Sequence, residues 1–285
     1  MVYSGVTIAS CAIGCLLLVM ARPRIAGTTL LVPWAWSLFA CLALAAAEIA
    51  ILALDNEGTH LATVLRYAAA VTTLAPGMAM LGAKRPQEFM FFLATVTLIA
   101  MAWTPVALSI FVRPGQPLAI PCYLPWLLCG ELLYVALNYL PTRFGLAALV
   151  TAIGQSLLIA TAWPVYPMEG GPIFAMVGSA CLTTGLALAC WDPWQVERTA
   201  HAADRRWLEF RDAYGLVWGM RVAERVNQSA ERFAWDLRLE WDGFHRAAED
   251  ESEQEREGQA VSDQAWEEAD LGLRALLKRF VGKDW

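Results

Sequence analysis

Two charged side chains of opposite sign, Glu48 and Arg66, interrupt long apolar runs. In hydrocarbon, a carboxylate and a guanidinium either pair with each other or line a hydrated cavity. Glu48 and Arg66 stand nine residues to either side of Glu57, in the polar turn "DNEGTH". With about six of those nine residues helical on each side, an antiparallel pair puts them level, roughly 9 Å below the membrane surface at 1.5 Å rise per residue. Facing inward, they can form an ion pair that fixes the register of the two helices. Arg66 can instead snorkel outward, or the two can line a ligand cavity open to the outside.

A deeper polar set follows. Glu131 lies mid-way along the fifth apolar run, and Gln155 is its mirror position across the turn at Arg143. Ser179 mirrors Gln155 across the next turn, with Thr183 one helical turn further on. Tyr134 and Asn138 continue the Glu131 face. A carboxyl at that depth is expected to be neutral unless a cation or water reaches it. Protonated, it would hydrogen-bond Gln155; the sharper alternative is a proton or substrate relay.

The elements that must carry these residues follow from composition. The chain has 285 residues, 58% hydrophobic and only 17% charged, with a mean hydropathy of +0.44. Soluble domains carry about 25% charged residues, so lipid is the main solvent expected. The charge is unevenly placed. Residues 1–191 hold seven basic and six acidic side chains, a net of +1, and residues 192–285 hold 14 and 21, a net of −7. A membrane domain followed by an acidic extramembrane tail is the simplest reading.

A helix needs about 20 apolar residues to cross the hydrocarbon core. That predicts an all-α membrane protein, a bundle of seven transmembrane helices near 3–21, 30–54, 60–82, 89–112, 118–140, 144–165 and 171–191. Arg22 and Arg24 follow the first apolar run rather than precede it, so it reads as a retained helix and not a signal peptide. Loops 1, 3 and 5 carry Arg22, Arg24, Lys84, Arg85 and Arg143, whereas the other loops carry Arg113 alone. The positive-inside rule therefore places the N-terminus outside and the C-terminus in the cytoplasm of a bacterial inner membrane. Six of the seven cysteines fall inside apolar runs and pack as small hydrophobes; Cys122, beside Pro121, stands apart.

Several chemistries are excluded. His60, His201 and His245 are the only histidines, so bis-histidine haem ligation within the bundle has no ligands. The seventh span has no lysine for a retinal Schiff base. No H-E-x-x-H, G-x-S-x-G, P-loop or G-x-G-x-x-G occurs. No catalytic residue, metal site or cofactor is assigned, and the acidic tail would repel nucleic acid.

The tail divides into 192–248, 249–262 and 263–285. Residues 204–233 read as an amphipathic helix with Trp207, Phe210, Tyr214 and Trp218 on its apolar face. Phe233, Trp235, Leu237, Leu239 and Trp241 alternate with polar residues, a strand signal. A lone strand must pair within the tail, with a second copy or with a partner's sheet edge. The reading favours a partner or a second copy, with a short helix as the other alternative. Residues 249–262 are an acidic, disordered spacer. The terminal 263–285 segment is a second amphipathic helix, N-capped by Asp263 and carrying Trp266, Leu273, Leu277 and Phe280 on one face. It docks on a partner or lipid, or else folds back on its own tail.

Two segments, "LGAKRPQ" and "DRRWLEFRDAYGLVWGMRVAERVN", resemble polytopic bacterial membrane proteins of the planctomycete type. That resemblance implies no activity, fold or ligand. The function expected first is a non-enzymatic accessory, assembly or scaffold factor. Its partner-binding candidates are Trp207, Phe210, Tyr214, Trp218, Trp235, Trp241 and Trp266. A small-solute or proton-linked transporter using Glu131, Glu48 and Arg66 is the alternative. A seven-span sensor with an outer pocket at Glu48, Arg66 and His60 is the third.

Overall fold

Apolar runs of this length leave their backbone polar groups no partner in lipid except one another, which makes helix the obligatory form. The computed structural model agrees: it describes residues 2–55, 59–81, 88–116, 118–161, 171–191, 201–246 and 263–280, mostly as helix. The chain divides into two units. Met1–Leu140 with Phe144–Asp192 form the first, and Pro141–Arg143 with Pro193–Trp285 form the second.

The first unit contains α1 (Val2–Ile25), α2 (Leu31–Ala53), α3 (His60–Thr72), α4 (Ala75–Leu81), α5 (Glu88–Ala102) and α6 (Thr104–Ala107). A π-helical turn, Leu108–Val112, extends α6; α7 (Leu124–Tyr139), α8 (Gly145–Ala160) and α9 (Gly171–Cys190) complete the unit. Among the described residues, α1, α2 and α9 are each long and apolar enough to cross a membrane. A bent pair, Thr95–Ala102 with Thr104–Val112, makes a fourth if its 44° break lies within one span.

The other expected spans are broken or short, and proline explains much of this. Pro76 has no N–H and its ring would clash with the carbonyl four residues back, so α3 ends at Thr72 and α4 begins at Ala75. Pro105 marks the second break, at Trp103. Pro121 and Pro125 delay the start of α7 to Leu124, leaving a helix of 16 residues, about 24 Å long.

Small residues hold the helices close. A Cβ on Gly154 would stand 2.8 Å from the Gly178 carbonyl oxygen, and one on Gly178 would stand 2.9 Å from the Gly154 oxygen. The α8 and α9 backbones therefore touch, as glycine permits between membrane helices. Thr183 Oγ1 donates to Ser10 O at 2.8 Å, joining α9 to α1, and Trp34 Nε1 donates to Leu18 O at 2.7 Å, joining α2 to α1. Large apolar side chains face outward, including Phe111 (82% exposed) and Trp126 (81%). So much exposed apolar surface fits a lipid surround better than water.

The second unit is built on α10 (Ala202–Phe233), whose Gly215 adopts φ 77°, ψ −171° and kinks the rod. The β1 (Leu237–Leu239) and β2 (Phe244–Arg246) strands form an antiparallel hairpin, Leu237 opposite Arg246 and Leu239 opposite Phe244. The predicted strand thus pairs within the tail, not with a partner or a second copy. It is also shorter than the alternation suggested. Phe233 ends α10, and Ala234 (φ 51°, ψ 49°) closes that helix in the left-handed conformation. Asn227 reaches across from α10: its Nδ2 donates to Leu239 O (2.9 Å) and its Oδ1 accepts from Leu239 N (2.7 Å). The last element, α11 (Asp263–Leu277), packs on α10. The expected acidic spacer, 249–262, lies outside the described residues.

Candidate functional site

Equal distance from the α2–α3 turn brings Glu48 and Arg66 together. Arg66 Nε donates to Glu48 Oε1 at 2.6 Å and Arg66 Nη2 to Oε2 at 2.9 Å, a bidentate pair with both residues buried. Such a fork satisfies both carboxylate oxygens in one plane. A cavity of about 10 Å³ adjoins the pair, lined by Thr7, Leu44, Thr161 and Ala175 among others. That volume is at the threshold for one water molecule and too small for an organic solute. His60 does not join them; its Nε2 lies 2.7 Å from Ser109 Oγ. The three side chains expected to form an outer pocket are thus divided between two separate contacts.

The deeper set also disperses. Gln155 does not bond Glu131: its Nε2 donates to Thr73 O at 2.7 Å, capturing a backbone carbonyl at the α3–α4 break. Ser179 donates to Met176 O on its own helix, and Thr183 to Ser10 O. Equal depth placed these residues on the right level but could not say which way each points. Glu131 is left apart. It is 8% exposed, and both of its carboxyl oxygens, like Gln155 Oε1, lack a hydrogen-bond partner. Its Oε1 faces α4, 3.5 Å from where a Cβ on Gly77 would stand. The nearby Met78 N–H points at Leu74 O, 3.4 Å away, and misses hydrogen-bonding geometry with the carboxyl.

In the second unit the aromatic stripe is its own core. Trp207 and Phe210 are fully buried, and Tyr214 and Trp218 nearly so. Phe280 sits edge-on to Phe210, Tyr214 and Trp218 at centroid distances of 5.0–5.2 Å, and Tyr214 Oη donates to its carbonyl at 3.0 Å. Four of the expected partner-binding aromatics are therefore covered by this unit itself. The terminal helix takes the fold-back alternative, because its apolar face has the whole α10 stripe to cover. Trp266 stacks on His201 at 3.7 Å, and Trp241 lies under the Arg211 guanidinium at 5.2 Å. Trp235, half-buried, covers Gly272 and stacks on Phe233, which is 64% exposed.

The sequence reading missed charge clusters in this unit, including one that joins Asp270 to Arg206 and Arg274. Asp212 is 1% exposed and pairs with Arg211 (2.8 Å) and with Arg143 (3.4 Å) of the segment assigned to the same unit. At the hairpin turn, Glu240, Asp242 and His245 present ligand atoms within 4.8 Å of one another, all three residues exposed. The His245 hydrogen bond to Asp242, 2.9 Å, holds that carboxyl below its ordinary range. The three could ligate a cation only weakly, since each remains hydrated. Their signal, D-x-x-H after a strand, is too common to read from sequence. No protein-family model matches the chain, and neither a curated protein nor a solved structure shows significant similarity to it.

Proposed function

We propose that the protein is a non-enzymatic, multi-pass protein of the bacterial inner membrane, and that it acts as an accessory or scaffold factor. In this reading its cytoplasmic C-terminal unit docks a protein partner. Seven crossings, N-terminus outside, are part of the proposal. Their support is the three helices that meet the length requirement, the bent pair Thr95–Ala102 with Thr104–Val112, the apolar character of the broken α3–α4 and of α7 and α8, and the basic residues of loops 1, 3 and 5.

The observation that carries the docking reading is the surface left over after the second unit has closed its core. Phe233 and Leu271 are each 64% exposed, and Trp235 lies between α10 and Gly272, the neighbour of Leu271. Trp and Phe in such a patch are the residue types that anchor protein interfaces. The test is a photo-crosslinking residue at Phe233 in the full-length chain, with Arg225 as the exposed control, irradiated in native membranes. A protein adduct of one discrete mass at 233, absent at 225 and lost with Leu271→Asp, is the expected result. No adduct, or a lipid adduct alone, would overturn the docking reading. Attachment of an impermeant thiol reagent to Ser229→Cys from the periplasmic side would overturn the orientation.

A further inference from the structure

Among the described residues, the first unit contains one buried carboxyl that its own side chains do not neutralise. Of the helices packed on α7, neither α4 nor α8 carries an ionisable side chain. On α7 itself the remaining titratable groups are Cys129, Tyr134 and Tyr139, none of which supplies positive charge. The three buried side-chain atoms without a partner, Glu131 Oε1 and Oε2 and Gln155 Oε1, are all acceptors. What is missing is a donor or a cation. Gln155 and Glu131 also border the same backbone break, through Thr73 and Gly77 respectively.

Space selects between the candidates. Gly77 packs so tightly on α7 that a Cβ there would collide with Val135, and neither oxygen of Glu131 meets solvent. A sodium ion, a hard cation, would need several oxygens around it and room to hold them. A proton needs none. An isolated carboxylate in this setting would instead draw water into the contact between α4 and α7.

We infer that Glu131 is a buried proton-binding site whose occupancy controls the packing of α4 on α7. With the proton bound, the carboxyl is neutral and the Gly77 contact closes. With the proton released, the carboxylate needs hydration, and α4, a two-turn helix already cut from α3 at Thr73, is the element free to yield. Glu48, fully engaged by Arg66, is the internal reference.

The test uses the full-length protein in lipid nanodiscs and dicyclohexylcarbodiimide, an apolar reagent that adds to protonated carboxyls. Peptide mass mapping reads the adduct at Glu131 and at Glu48 over a pH series, with and without sodium. The expected result is an adduct on Glu131 and not on Glu48. It falls about tenfold per pH unit above the titration point and is indifferent to sodium. Amide hydrogen exchange across 75–81 should rise over the same pH range and stay flat in Glu131→Gln. Sodium protection at fixed pH would make the ligand a metal cation and overturn the proton assignment. No adduct at any pH would overturn the site itself. A titrating adduct with pH-independent exchange in 75–81 would overturn the control of packing.

Discussion

Glu48 and Glu131 are the same side chain, both buried in the first unit, and they differ in what faces them. Glu48 meets a guanidinium that satisfies both oxygens in a fork; Glu131 meets glycine, valine and a backbone amide turned elsewhere. The second unit adds two further cases. Asp212 is buried between two arginines, and Asp242 stands in water beside a histidine. The lesson is that burial alone does not say whether a carboxylate is part of the scaffold. The partner does, and only where it is missing does a functional question remain.

Five variants test that distinction. Arg66→Ala leaves Glu48 buried and alone, and should cost about 3–5 kcal/mol, read as a lowered midpoint in thermal melts of detergent-solubilised protein. The double replacement Glu48→Leu with Arg66→Met should recover most of that loss, because it removes both desolvated charges together. If the double variant melts as low as Arg66→Ala, the pair contributes more than mutual neutralisation. Asp212→Asn should cost about 1–3 kcal/mol, less than Arg66→Ala because its two arginines are partly in water. Glu131→Leu should leave the melting point unchanged or raise it, since no interaction is lost; a fall of the size seen with Arg66→Ala would show a partner for Glu131. The smallest loss belongs to Asp242→Asn, about 0.2–0.5 kcal/mol. Because the Asp242 carboxyl is held below its ordinary value of 3.8, that contribution is present above pH 3.8. It disappears as pH falls through the lowered value. Urea melts of wild type and Asp242→Asn should accordingly converge in acid.

The Glu48–Arg66 pair was legible because a helical hairpin converts distance from a turn into depth, and the two residues are equidistant from Glu57. The same arithmetic placed Gln155 beside Glu131 and failed, because at the α3–α4 break the Gly77 N–H turns to Leu74 O and leaves the Thr73 carbonyl to the amide. Prolines were visible in the sequence, but whether each bends a span or ends it depends on neighbours. For α10, periodicity correctly put Trp207, Phe210, Tyr214 and Trp218 on one face, yet it could not say that Phe280, far along the chain, covers them. The second hairpin strand, only Phe244–Arg246, is too short to leave a pattern.

Asn227 gives the hairpin a property the backbone alone would not have. Its side-chain amide occupies the N–H and C=O of Leu239, the groups a foreign strand would grip first to extend the sheet. With that position sealed by its own helix, β1 is a poorer template for strand addition, which matters where a bilayer crowds many copies of the chain into one plane.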